Sequence, residues 1–158
     1  MAALDPDDPK DEAKLDALLQ RWADGKATLR DVRGYSDDEL YAIAKTAYFF
    51  FYQGRVNEAR TLFQGLYAVN PTDAYFAKAL GVVEMAAGNG QGALAAFDVA
   101  AKLTPHDPSV YVGRAEVKLA MGQKQQALED LRRAAAMQPG DDPVVRKAAA
   151  MISALSRR

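Results

Sequence analysis

The sequence predicts an all-α chain built as three tandem helix–turn–helix units, and three observations predict it. Gly54, Gly88 and Gly122 stand 34 residues apart, as do Ala59, Ala93 and Ala127. The same spacing joins Phe63, Phe97 and Leu131, and then Pro71, Pro105 and Pro139. No segment alternates apolar and polar residues long enough to read as a strand, while Ala and Leu are abundant. A fixed period of this length marks a repeat array, in which each unit is one supersecondary element stacked on the next.

Each column has a physical reason. The glycines stand where a first helix stops and the chain reverses, a place that favours a residue tolerant of positive φ. Each alanine lies four residues before its aromatic or leucine partner, so the two share a helix face. A small residue there lets the second helix approach the first, and the larger one fills the gap. The prolines follow the second helix, which they cannot continue. In Asn70-Pro-Thr-Asp73 and Pro105-His-Asp-Pro108 a polar side chain is placed to cap the following helix. The order of small, aromatic and proline positions resembles the tetratricopeptide repeat. That resemblance implies a right-handed superhelix with repeats over residues 40–73, 74–107 and 108–141.

Flanking segments complete the plan. Residues 1–9 hold three Asp and two Pro and are expected to form a disordered acidic tail. Residues 10–39 read as an N-terminal helical arm and linker, because Leu15, Leu18, Leu19 and Trp22 make an apolar stripe at i, i+3, i+4, i+7. Gly25 is expected to end that helix, and Ser36-Asp-Asp-Glu39 spells a capping box for the first repeat helix. Residues 142–158 form the expected capping helix, started by Asp142-Pro143. Its Val145, Ala148, Ala149 and Ile152 point inward in this reading, with Arg146, Lys147, Arg157 and Arg158 toward water.

Composition excludes several kinds of chemistry. The chain of 158 residues has no cysteine and one histidine, so thiolate metal sites, disulfides, a thiol nucleophile and a multi-histidine centre are excluded. Lys plus Arg number 20 against 21 Asp plus Glu, which gives no basic excess to attract nucleic acid. Residues 1–39 carry net −5 and residues 108–158 net +4, a mild polarity along the chain. No apolar run reaches the ~18 residues of a membrane span. The acidic start is unlike a signal peptide, so a soluble intracellular protein is expected. His106 falls in an inter-repeat turn, and Gly88-Asn-Gly-Gln-Gly92 lacks the Lys-Ser/Thr of a phosphate loop. Neither supports catalysis, and no cofactor or metal is expected.

Binding is better supported. Tetratricopeptide arrays hold peptides on the first helices of their repeats. The resemblance therefore places Tyr41, Ala44, Tyr48, Phe51 and Tyr52 of the first repeat in a groove, with Lys45 at its rim. The second repeat would add Tyr75, Lys78, Val82 and Met85, and the third Val112. The run Tyr48-Phe-Phe-Phe-Tyr52 surrounds a helix with rings, which one core cannot absorb. Phe50 is assigned to the intra-repeat core and Phe49 to the N-terminal arm, leaving Tyr48, Phe51 and Tyr52 for an exposed apolar surface. Arrays that clamp the carboxylate of heat-shock proteins carry Lys and Asn where this chain has Ala44 and Tyr48.

The segment Gly25-Lys-Ala-Thr-Leu-Arg-Asp-Val-Arg-Gly-Tyr-Ser36, followed by Ala47-Tyr48, Gln53-Gly54-Arg55, Glu58-Ala59, Phe63-Gln64 and Asp73-Ala74-Tyr75-Phe76, is similar to the class II chaperones of bacterial type III secretion. That resemblance implies a bacterial cytoplasmic chaperone holding an extended hydrophobic segment of a translocator protein in the groove. It also implies a homodimer through Leu15, Leu18, Leu19 and Trp22, with packing inside one chain as the other option. The rival reading is a general tetratricopeptide scaffold in a bacterial assembly complex.

Overall fold

The computed structural model describes residues 35–157 together with Pro9, Lys10, Ala13, Asp16, Ala17, Gln20 and Arg21. Those seven N-terminal residues are helical and exposed. The arm residues Leu15, Leu18, Leu19 and Trp22, the linker through Gly34 and tail residues 1–8 lie outside the described residues, as does Arg158.

Seven helices follow one another without a strand among the described residues: α1 (Asp37–Tyr52), α2 (Val56–Val69), α3 (Ala74–Ala86), α4 (Gly90–Leu103), α5 (Pro108–Ala120), α6 (Lys124–Ala135) and α7 (Pro143–Ser156). The capping box is present, with Ser36 Oγ accepting from the Glu39 amide and the Glu39 carboxylate accepting from the Ser36 amide, each at 3.3 Å. It starts α1 at Asp37, three residues ahead of the first repeat as read from the period. Asp73, Asp107 and Asp142 cap α3, α5 and α7 by accepting from the amides of Tyr75, Ser109 and Val144.

The three periodic glycines end α1, α3 and α5 in one geometry. Gly54, Gly88 and Gly122 have φ of 80°, 80° and 76°. At each, the next residue's amide reaches five residues back: Arg55 to the Phe50 carbonyl, Asn89 to Glu84 and Gln123 to Lys118, at 2.8–2.9 Å. The glycine amide itself bonds the carbonyl three back. This double closure satisfies carbonyls that a helix end leaves open, and it needs a left-handed residue.

The other columns are core. Ala59, Ala93 and Ala127 are fully buried, as are Phe63, Phe97 and Leu131 to within 1%. Burying each of those larger side chains contributes about 1.5–3 kcal/mol. Sequential helices pack on one another throughout, and in addition α3 touches α5 and α5 touches α7. Helices α1, α3, α5 and α7 therefore form one wall, with α2, α4 and α6 behind it. Helix α7 buries Val145 and Ala148 as expected, with Ile152 half-buried. Ala149, expected inside, is exposed, because only a narrow stripe of this last helix meets α5 and α6.

Buried charge holds the last repeat together. Asp130, 4% exposed, accepts from Arg114 at 2.6 and 2.9 Å and from Lys118 at 2.7 Å, tying α5 to α6. Between α2 and α3, Glu84 is 4% exposed, accepts from Gln64 and from Asn89 at the start of α4, and pairs with Arg60.

Candidate ligand groove

The wall of first helices carries a groove of about 280 Å³. Tyr48 of α1, Lys78 and Val82 of α3, Val112, Gly113 and Glu116 of α5, and Val144 and Lys147 of α7 line it. Its floor includes Phe97 from α4 in the row behind. That ring is reached because Gly81 and Gly113 bracket it: a Cβ at either position would come within 2.8 or 2.6 Å of ring carbons. The missing side chains thus let the ring fill the space between α3 and α5, buried directly beneath the groove.

A chain of rings extends the groove along α1. Tyr48 meets the edge of Phe63 at a centroid distance of 4.9 Å, which fixes its orientation. From Tyr48 the rings continue to Tyr52 at 6.2 Å and to Tyr75 at 6.1 Å, and from Tyr75 to Tyr41 at 5.6 Å. Such separations fall in the favourable range for aromatic pairs. Burial, then the neighbouring hydroxyls of Tyr75 and Tyr52, pushes the Tyr48 hydroxyl up to about 12. The hydrogen bond Tyr41 donates to Asp73 raises Tyr41 to about 12 as well. Both remain neutral hydroxyls, able to donate at any physiological pH.

Charge frames the apolar floor. Lys78 donates to Asp107 Oδ2 and Ser109 Oγ, each at 3.1 Å. Burial raises the Asp107 carboxyl, but the hydrogen bonds from Ser109 and Lys78 outweigh it and hold it below the usual carboxylate range. Lys147 donates to Glu116 at 2.6 Å across the far end. An apolar floor with hydroxyls and paired charges at its edge suits a chain that brings apolar side chains and polar backbone together.

Of the residues the sequence points to, the groove gathers Tyr48, Lys78, Val82 and Val112, and the ring chain adds Tyr41, Tyr52 and Tyr75. Phe51 is half-buried against Tyr52, at 5.7 Å. Ala44 is a correction: it is fully buried in the core cluster that joins α1, α2 and α3, with Ile43, Ala47, Phe63, Phe76 and Ala79. Met85 is 36% exposed on α3 and outside the groove lining. Phe50 packs on the core under Arg55, 4.2 Å from its ring, and Phe49 is 59% exposed. The sequence reading missed Phe97, Gly113, Val144 and Lys147 as groove residues. Lys147, expected simply to face water, is an exposed side chain held by Glu116.

Family models described as "Tetratricopeptide repeat" match residues 41–108 and 84–152, which together take in most of the chain. A comparison with curated protein sequences finds no match. Among solved structures, PcrH in complex with the chaperone-binding region of PopD is 26% identical, with a TM-score of 0.73 over 80% of this chain and 98% of that one. PcrH is from Pseudomonas aeruginosa. SycD of Yersinia enterocolitica, a type III secretion chaperone bound to a peptide of the translocator YopD, is 23% identical, with a TM-score of 0.69 over 77% and 95%. A type III secretion complex from Aeromonas hydrophila is 24% identical, with a TM-score of 0.72 over 92% and 96%.

Proposed function

Because the chain belongs to the tetratricopeptide-repeat family, and its groove is a built surface with an aromatic floor, we propose that it is a type III secretion chaperone. In this reading it binds an extended hydrophobic segment of a translocator protein and keeps that protein soluble before export. The observation that carries it is the groove shared by α1, α3, α5 and α7, whose lining is apolar at the floor and polar at the rim. Likeness to PcrH and SycD, which were solved with translocator segments, supports the same kind of client here. The protein acts by binding, without catalysis, and in the bacterial cytoplasm. No helix among the described residues is long and apolar enough to cross a membrane.

The mechanism follows from solvent exclusion. A membrane-inserting segment left in water exposes apolar area worth about 25 cal/mol per Å² on burial. The groove covers part of that area with Tyr48, Val82 and the edge of Val112, while the hydroxyls of Tyr48 and Tyr75 can donate to peptide carbonyls. A few such anchors dominate binding of this kind. SycD has also been solved as an alternative dimer.

The test is affinity capture from the native cytoplasm, wild type beside a Tyr48→Ala/Tyr75→Ala variant shown to be folded. Recovery of a membrane-active secreted protein with wild type alone is the expected result. Equal recovery of folded, soluble partners by both would point instead to a scaffold working through another face.

A further inference from the structure

Tyr41, Lys45, Tyr48 and Tyr52 recur on α1 at i, i+4, i+7 and i+11, so the four side chains share one stripe of that helix. Tyr48 of this stripe lines the groove, and Tyr41 and Tyr52 are its exposed flanks. Lys45 is exposed in their midst. The other charged groups at the groove are hydrogen-bonded. Lys78 has Asp107 and Ser109, Lys147 has Glu116, and Asp73 accepts from Tyr41 while capping α3. Among the described residues, no carboxylate lies within ion-pair distance of Lys45. Lys45 is therefore a cation without a carboxylate partner, placed beside the groove's most aromatic stretch.

We infer that Lys45 pairs with a carboxylate of the docked segment, so that the segment this protein holds is apolar with an Asp or Glu where it crosses α1. The inference rests on the groove-binding reading above and adds the charge of the client to it. A chain laid over Tyr41 and Tyr48 removes water from around the Lys45 ammonium. With less water, attraction to a carboxylate strengthens and repulsion from a Lys or Arg strengthens equally. A neutral residue leaves the ammonium less well solvated, a smaller penalty because the flexible stem can swing toward water. The order of preference at that position is acidic, then neutral, then basic. Because the pair forms at a rim, it acts on association rate and salt dependence as well as on affinity.

Random linear peptides displayed on phage, selected separately on the full-length wild-type chain and on Lys45→Glu, test this. Both proteins are expected to enrich peptides with apolar anchors; wild type adds Asp or Glu, and Lys45→Glu adds Lys or Arg. Lys102→Glu, on exposed α4 surface away from the groove lining, is expected to select like wild type. For one synthesised wild-type-selected peptide, Lys45→Ala and replacement of the peptide's acid by its amide each weaken binding by about two- to fivefold, and together no further. Apolar peptides enriched without an acidic preference, or the same peptides chosen by Lys45→Glu, would overturn the inference and leave the groove reading standing. Selection of no apolar peptide by either protein would overturn both.

Discussion

Gly113 lies so close to Phe97 that a Cβ on the glycine would stand 2.6 Å from the ring's Cζ. Helix α5 can pass over the ring only because residue 113 has no side chain, and the ring fills that space beneath the groove, 1% exposed. Gly113→Ala forces the ring or the helix to move. Overpacking of this kind costs about 1–3 kcal/mol, so the urea midpoint is expected to fall accordingly. Peptide affinity falls with it, because the displaced ring or helix disturbs the groove above it. An unchanged midpoint together with unchanged affinity would show that the contact is not as tight as drawn.

The Asp130 network gives the stability a pH dependence. Burial pushes its carboxyl up, but the hydrogen bonds from Arg114 and Lys118 outweigh that and hold it below the ordinary value. A carboxyl lowered in the folded state contributes stability that is complete above its unfolded value of about 3.9. That contribution is lost as pH falls through the folded value, so acid unfolding is expected to steepen below about pH 4. Asp130→Asn leaves Lys118 without an anion and Arg114 with Asp98 alone, and is expected to cost about 3 kcal/mol near neutrality, flattening the acid limb as well. Urea titrations of both proteins across the acid range check this.

Tyr48 and Tyr52 divide stability from binding. Tyr48 is half-buried with its ring edge on Phe63, so Tyr48→Ala is expected to cost about 2 kcal/mol in binding and a measurable amount of stability. Tyr52 is 80% exposed, so Tyr52→Ala is expected to leave the thermal midpoint within about a degree or two and to affect binding alone. Calorimetric melting and peptide titration of the two variants separate the effects. A large melting shift for Tyr52→Ala would mean that its ring is part of the fold.

The periodic glycines make a comparison within one molecule. Gly88→Ala meets no neighbour within 4 Å, yet its φ of +80° remains left-handed. The expected cost is about 1–2 kcal/mol from backbone strain alone. Gly54→Ala and Gly122→Ala, with the same closure, are expected to behave alike when measured by urea unfolding.

The fold was legible because its signals repeat. Three glycines and three alanines each solve the same local problem, as do Pro71 and Pro105, and the period survives at Pro139, although α6 already ends at Ala135. The groove was legible where side chains lie on a helix face that the repeat register fixes, as with Tyr48, Lys78, Val82 and Val112. Ala44 was misplaced because register gives a direction and not the depth of packing; side chains of α1, α2 and α3 close over it. Gly113 belongs to no periodic column, so nothing in its spacing announced its close approach to Phe97. Val144 and Lys147 were missed for a related reason. A terminal helix backed by charge reads as a lid on the array, whereas α7 packs against α5 and so continues the groove wall. The N-terminal stripe from Leu15 to Trp22 lies outside the described residues.

Hydrogen–deuterium exchange on the captured complex tests the central claim most directly, with the free protein as reference. Binding of an apolar segment in the groove predicts slowed exchange in α1, α3, α5 and the first turns of α7, with α2 and α6 nearly unchanged. Protection confined to α2, α4 and α6, with the first helices exchanging as in the free protein, would contradict it.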